Sequence, residues 1–180
     1  MGTDLASLVA SHVIDVPDFP QPGIVFKDLS PLFADGKALR AMTDGIVDHY
    51  RDASGGPGFE VVAGIEARGF VVAAAVAYAA GVGVVPVRKA GKLPRETLSA
   101  AYSLEYGEAV LEVHADAFVA GHRVLVVDDV LATGGTAAAS LGLVEAAGGQ
   151  VAGLCVLLEL SFLNGRDRLP GRDVFTLLTV

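Results

Sequence analysis

From Phe59 onward the hydrophobic positions fall into short unbroken runs separated by longer helical stretches. "FEVVAGI" (Phe59–Ile65), "GVVPVR" (Gly83–Arg88), "RVLVVDDV" (Arg123–Val130) and "VAGLCVLLEL" (Val151–Leu160) are short, rich in β-branched residues, and predict buried strands. Between them, "EARGFVVAAAVAYAAG" (Glu66–Gly81) and "GTAAASLGLVEAAGG" (Gly135–Gly149) predict helices that stop at glycine. The strands are apolar throughout instead of alternating, so both faces of their sheet are expected to be covered, as in a parallel α/β sheet. Such sheets bind ligands at the carboxyl ends of their strands.

The pattern differs on either side of this rhythm. Thr3–His12 predicts a short helix with Thr3 or Asp4 as its cap, and Asp35–Tyr50 a longer one with Leu39, Met42, Ile46 and Val47 on one face. Between them Val16–Phe33 is Pro-rich and reads as an irregular ordered segment anchored by Phe19 and Phe26. Arg51–Gly58 reads as a surface loop. Lys89–Phe118 interrupts the rhythm. Its second half alternates in "SLEYGEAVLEVH" with Gly107 as a turn, predicting a hairpin, and its polar first half, with Gly91 and Pro94, reads as a lid or binding loop. No repeat or linker divides the chain, so one domain is expected over residues 1–180, with the lid at about 89–118. Gly69–Val87 has no charge and is about long enough to span a bilayer, but Gly81, Gly83 and Pro86 break it into helix, turn and strand.

Composition narrows the function classes. With 52% hydrophobic residues over 180, the chain can bury a substantial core. A single Cys excludes an intrachain disulfide and a Cys-based zinc cluster, and fits a cytoplasmic setting; Cys155 lies in an apolar run and reads as inert core. The net charge of −8 argues against a nucleic-acid binder, though not against an anionic small substrate held by a local basic cluster. The four His residues have no metal-ligand spacing.

The candidate chemistry concentrates in "VLVVDDVLATGGTAAAS" (Val124–Ser140). Two acids at the end of an apolar strand need partners. The glycines of Ala132–Thr136 permit a tight loop whose N–H groups, with the following helix N-terminus and the hydroxyls of Thr133 and Thr136, suit a phosphate monoester. Ionised Asp128 and Asp129 accept hydrogen bonds and suit vicinal hydroxyls, so the pattern reads as a ribose 5-phosphate site. It is neither a Walker A loop nor a dinucleotide fingerprint.

"VLVVDDVLATGGTA" resembles the phosphoribosyl pyrophosphate (PRPP) motif of type I phosphoribosyltransferases. "DFPQPGIVFKDLSPL", "GIEARGF", "VRKAGKLP" and "YSLEYG" resemble, in order along most of the chain, segments of that family's adenine-using branch. The resemblance implies a central, mainly parallel sheet flanked by helices, with a flexible hairpin lid. A small hood would be built from the amino-terminal loop and the region near Leu160. It implies transfer of the phosphoribosyl group from PRPP to N9 of adenine, giving AMP and pyrophosphate, with Mg2+ carried by PRPP and not bound directly by protein ligands, in a homodimer. Ala132, Thr133, Gly134, Gly135 and Thr136 would hold the 5-phosphate, and Asp128 and Asp129 the ribose. Arg68, Arg88, Lys89 and Lys92, with Arg95 as a further candidate, would hold pyrophosphate. Val25, Phe26 and Leu160 would frame adenine, with the role of Lys27 open. Glu105 would be the acid/base at adenine N7, with Tyr106 beside it. Transfer to another purine base and a non-catalytic PRPP sensor are the alternatives.

Overall fold

The computed structural model describes residues 4–103 and 108–180. Helix α1 (Leu5–Ala10) starts at Asp4, whose carboxylate accepts the Ala6 N–H at 3.1 Å. Strands β1 (Ile14–Pro17) and β2 (Val25–Asp28) then form an antiparallel ribbon with Asp15 opposite Lys27. The segment expected to be irregular is therefore partly regular. Lys27 Nζ grips both oxygens of Asp15 at 2.7 and 2.8 Å, and the Asp18 carboxylate accepts the Gly23 N–H at 2.7 Å across the loop. The prolines hide the ribbon from a pattern reading because they sit at its end and in its loop, where no ladder donor is required.

Helix α2 (Ser30–Ala34) carries Pro31 in its first turn, and α3 (Gly36–His49) is capped by Asp35, which accepts the N–H groups of Lys37 and Ala38. The main sheet contains β3 (Val61–Ile65), β4 (Gly83–Lys89), β5 (Thr97–Ser103), β6 (Glu108–His114), β7 (Arg123–Leu131), β8 (Gln150–Glu159) and β9 (Val174–Thr179), in the order β5-β6-β4-β3-β7-β8-β9. Strands β4, β3, β7 and β8 are parallel, as expected, and β9, which the pattern does not predict, adds a fifth parallel strand beside β8. The expected lid is rooted in the sheet instead of standing apart from it. Strand β5 begins at Thr97, within the half read as loop, and β6 joins β4 through Arg88 opposite Glu112 and Lys89 opposite Leu111.

Helix α4 (Gly69–Ala80) begins three residues later than expected. The Glu66 N–H still donates to Val87 O at 2.9 Å, prolonging the strand, and Ala67 O closes a turn with the Phe70 N–H. Gly81, at φ 71°, ends α4, splitting the uncharged stretch as the glycines suggest. No helix among the described residues is long and apolar enough to cross a membrane. Helix α5 (Gly135–Ala146) follows β7.

Period-two geometry turns the apolar run of β7 into two cores. Leu125 and Val127 join Met42, Ile46, Val72 and Val76 on the face covered by α3 and α4. Val124 and Val126 join Leu141 and Val144 of α5 on the other, together with Leu111 and Val113 of the hairpin. The sheet is thus clamped from both sides, leaving its carboxyl edge to carry chemistry.

Candidate active site

Strand β7 delivers Asp128 and Asp129 to that edge, and the chain then turns through Ala132–Gly134 into α5. Gly134 takes φ 81°, a left-handed conformation that a β-carbon disfavours, and so turns the loop directly into the helix. The first N–H groups of α5 have no intrahelical acceptor, and no side chain caps them. Gly69 is needed for a different reason. A β-carbon there would lie 2.9 Å from Val127 O and 3.0 Å from Asp128 Oδ1, so glycine lets the start of α4 press against the end of β7.

The partner of the acids is Arg68. Its Nε lies 2.6 Å from Asp129 Oδ2, and Asp129 is buried while Arg68 keeps 38% of its side-chain surface. Arg68 Nη1 and Asp129 Oδ2 find no aligned hydrogen bond among the described residues, so both keep unused hydrogen-bonding capacity. The guanidinium carbon also stands 4.8 Å over the Phe26 ring, a cation–π contact that ties the acid pair to the β1–β2 ribbon. Asp128 accepts no hydrogen bond from Arg68; its Oδ1 accepts the Asp129 N–H at 2.9 Å. Burial, then the neighbouring charge of Asp129, push the Asp128 carboxyl well above the ordinary carboxylate range.

Two of the other expected cations, Arg88 and Lys92, gather on Glu66. Lys92 Nζ reaches Glu66 Oε1 at 2.8 Å, Arg88 Nε reaches Oε2 at 3.3 Å, and the Lys89 backbone N–H reaches Oε2 at 3.0 Å. Arg88 Nη1 also donates to Lys92 O at 3.0 Å. Glu66 keeps only 9% of its side-chain surface, and its hydrogen bond from Lys92 holds its carboxyl below the ordinary range. The Lys89 side chain is exposed. Arg95 is not part of this group; it pairs with Asp116 at 2.7 Å on the hairpin flank.

Val25, Phe26 and Leu160 come together in space. They line a cavity of about 130 Å³ with Ile24, Lys27, Val130 and Arg68. A second, of about 300 Å³, is lined by Val16, Phe19, Phe26, Asp28, Ser30 and Arg68. Arg68 and Phe26 line both. Phe19 meets Phe26 edge-on with centroids 5.1 Å apart. Val130, Ile24 and Ser30 carry no signal in the sequence, because their place depends on how the ribbon folds over β7. Lys27 is held by Asp15 while also lining the smaller cavity. Glu105 and Tyr106 lie outside the described residues.

The phosphoribosyl transferase domain profile matches residues 31–176. An adenine phosphoribosyltransferase of Salinispora arenicola is 71% identical over 99% of this chain and 93% of its own. The solved adenine phosphoribosyltransferase of Saccharomyces cerevisiae, complexed with a dideoxy-imino-altritol bisphosphate and adenine, superposes with a TM-score of 0.91 at 40% identity, over 97% of this chain and 98% of its own. That of Trypanosoma brucei, in complex with AMP, pyrophosphate and ribose-5-phosphate, gives 0.87 at 26% identity over 98% of this chain and 80% of its own. A strand-end acid pair, a glycine loop opening a helix, and likeness along nearly the whole length agree: the chain belongs to the type I phosphoribosyltransferase family, among its adenine phosphoribosyltransferases.

Proposed function

We propose that the protein transfers the 5-phosphoribosyl group of PRPP to N9 of adenine, releasing pyrophosphate and forming AMP in purine salvage. The observation that carries this reading is convergence at one sheet edge. Asp128 and Asp129, the Ala132–Thr136 loop, the Glu66-bound cations and the Val25–Phe26–Leu160 cavity all sit at or beside the carboxyl ends of β3, β4, β7 and β8. The loop binds the 5-phosphate through its backbone N–H groups. The acid pair orients the ribose hydroxyls and favours positive charge developing on the ring as pyrophosphate departs. Arg68 leaves Asp129 for the pyrophosphate when PRPP arrives, so the ligand replaces an ion pair instead of stripping a bare carboxylate. Arg88, Lys89 and Lys92 stabilise the leaving charge. Phe26 and Leu160 sandwich the base, and Glu105 holds the proton at adenine N7 as the N9 bond forms.

Magnesium enters this reading with PRPP. Among the described residues no three His, Cys, Asp or Glu side chains converge, so the ion's oxygen donors would come chiefly from the pyrophosphate, the ribose hydroxyls and water. Bound there, it supplies charge neutralisation of the leaving group.

We also propose that the protein works as a homodimer with α4 at its interface. That helix is apolar on every side, yet Val71, Ala74 and Tyr78 are exposed, Tyr78 by 90%. A helix apolar all round is normally buried, and a second copy would bury it.

The test of the reaction is pyrophosphate release from PRPP and Mg2+ with adenine, hypoxanthine, guanine and xanthine in parallel. Turnover with adenine alone is expected. Turnover only with another base would overturn the base-site assignment, and tight PRPP binding without turnover would overturn the enzymatic one.

A further inference from the structure

Two glycines from distant parts of the chain meet backbone to backbone behind the phosphate loop. After β8 the chain makes two short 3-10 turns, Ser161–Leu163 and Gly165–Arg168. A β-carbon on Gly165 would lie 2.2 Å from Ala132 O and 3.2 Å from Gly134 N. One on Gly134 would lie 2.2 Å from Gly165 O. Both residues are buried. Gly165 needs no left-handed backbone, so its lack of a side chain serves the close approach alone.

The turn that presents Gly165 is itself held fast. Arg166 grips the buried Glu159 with two hydrogen bonds, Nε to Oε1 at 2.7 Å and Nη2 to Oε2 at 2.8 Å. Its Nη1 donates to Val174 O at 3.2 Å and its Nη2 to Thr176 Oγ1 at 3.1 Å, while Thr176 Oγ1 donates to Glu159 Oε2 at 3.1 Å. The Leu160 N–H donates to Leu131 O at 2.9 Å, joining the turn to the last residue of β7. Bidentate guanidinium–carboxylate pairs fix orientation as well as distance. The same turn therefore carries Leu160 to the base cavity and Gly165 to the phosphate loop.

We infer that Gly165 is a positioning residue for the 5-phosphate loop, and that the Arg166–Glu159 pair holds it there. The Leu160–Arg168 turn acts as a backstop. With it in place, the amides of Ala132–Thr136 keep the spacing that a phosphate needs before any ligand arrives. Without it, the loop retains its sequence but must be ordered at the moment of binding, and phosphate affinity falls.

This inference rests on the phosphate role proposed for Ala132–Thr136, and the experiment separates the two. Affinities for AMP and for adenosine are measured by calorimetry on the full chain, because their ratio isolates what the 5-phosphate contributes. Thermal melting of each variant is followed in parallel. Gly165→Ala is expected to lower the AMP-to-adenosine ratio about 10- to 100-fold while adenosine affinity stays within about twofold. Arg166→Met, which introduces no clash, should lower the ratio in the same direction by less, and Arg166→Lys should recover part of the loss. Thr136→Val, within the loop itself, controls for the phosphate reading. If Thr136→Val lowers the ratio and neither Gly165→Ala nor Arg166→Met does, the backstop is wrong and the phosphate site stands. If none of the three changes it, the phosphate assignment itself falls. If Gly165→Ala does not fold, the Arg166→Met ratio decides: unchanged, it overturns the inference. A loss of AMP and adenosine affinity in equal proportion would mark the turn as merely structural.

Discussion

Substituting the two acids one at a time should move stability in opposite directions while weakening PRPP binding in both cases. Asp128 is a carboxyl whose folded-state value is raised, first by burial and then by Asp129. The folded protein then holds that proton more tightly than the unfolded chain does. Its contribution is most favourable below the unfolded value of 3.8 and declines as pH rises through the raised folded value. At neutral pH Asp128 is therefore a liability in the ligand-free protein, and Asp128→Asn removes it. A gain of about 0.5–2 kcal/mol is typical when a strained functional site is relieved, or roughly 2–4 °C in Tm per kcal/mol at this chain length. Asp129→Asn instead breaks the 2.6 Å contact with Arg68. Breaking a fully buried pair costs about 3–5 kcal/mol and an exposed one below about 1. With Arg68 38% exposed, Asp129 9% exposed and relief of Asp128 offsetting part of the loss, a net loss of about 1 kcal/mol is expected. Each variant also loses an ionised acceptor for a ribose hydroxyl, about 1.5–3 kcal/mol, or roughly 10- to 150-fold in PRPP affinity. Differential scanning fluorimetry between about pH 4 and 8 without ligand, with calorimetry of PRPP and Mg2+ at neutral pH, reads all three effects. The reasoning is refuted if Asp128→Asn melts below the parent at neutral pH, if its stability keeps the parent's pH slope, or if either variant binds PRPP normally.

Four further outcomes are expected. Glu66→Gln should loosen Arg88 and Lys92 and lower kcat/KM for PRPP by about tenfold with little change in adenine KM, read by steady-state kinetics. Phe26→Ala should raise adenine KM by about tenfold, since a ring stacked on a base contributes about 1–3 kcal/mol, while PRPP KM changes less than about threefold. Glu105→Gln should cut turnover about 100- to 10,000-fold yet leave AMP affinity near that of the parent; near-normal turnover removes it from catalysis. Tyr78→Asp should shift the protein towards monomer in sedimentation, because it places a charge in the middle of the α4 face; an unchanged mass moves the interface elsewhere.

The part of the site legible in the sequence is the part that is local in the chain. Asp128 through Thr136 are consecutive, and a strand end followed by a glycine loop and a helix is specified by its own residues. The strands β3, β7 and β8 are equally legible, because each is a short apolar run buried over most of its length, and β4 reads the same way from its valines although only Val87 of it is buried. What the pattern hid is what forms by long-range contact. The β1–β2 ribbon pairs residues across a Pro-rich loop, so its alternation is brief and interrupted. Strand β5 looked like lid because its burial comes from α5 and β6, not from its own polarity. Strand β9, unexpected from the sequence, follows a polar turn and gains its place only by pairing with β8. The Arg68–Asp129 pair joins residues sixty-one positions apart, and the Gly134–Gly165 contact joins residues thirty-one apart; single glycines in loops carry no sign of what they face.

A net charge of −8 looks ill suited to a polyanionic substrate, and the structure resolves the conflict by local pairing. At the carboxyl end of each of three parallel strands a largely buried acid holds cations from elsewhere in the chain. Glu66 after β3 gathers Arg88 and Lys92, Asp129 of β7 holds Arg68, and Glu159 of β8 grips Arg166. The first two groups hold the cations proposed for pyrophosphate; the third fixes the turn behind the loop. An acid beside each cation lowers the cost of gathering like charges in one place before the ligand arrives. It also limits how far their field reaches, since exposed charges are screened beyond about 8–10 Å at physiological salt. Recognition then depends on a few placed groups at short range instead of on a basic surface. The chain as a whole stays acidic, a balance that disfavours a nucleic-acid backbone.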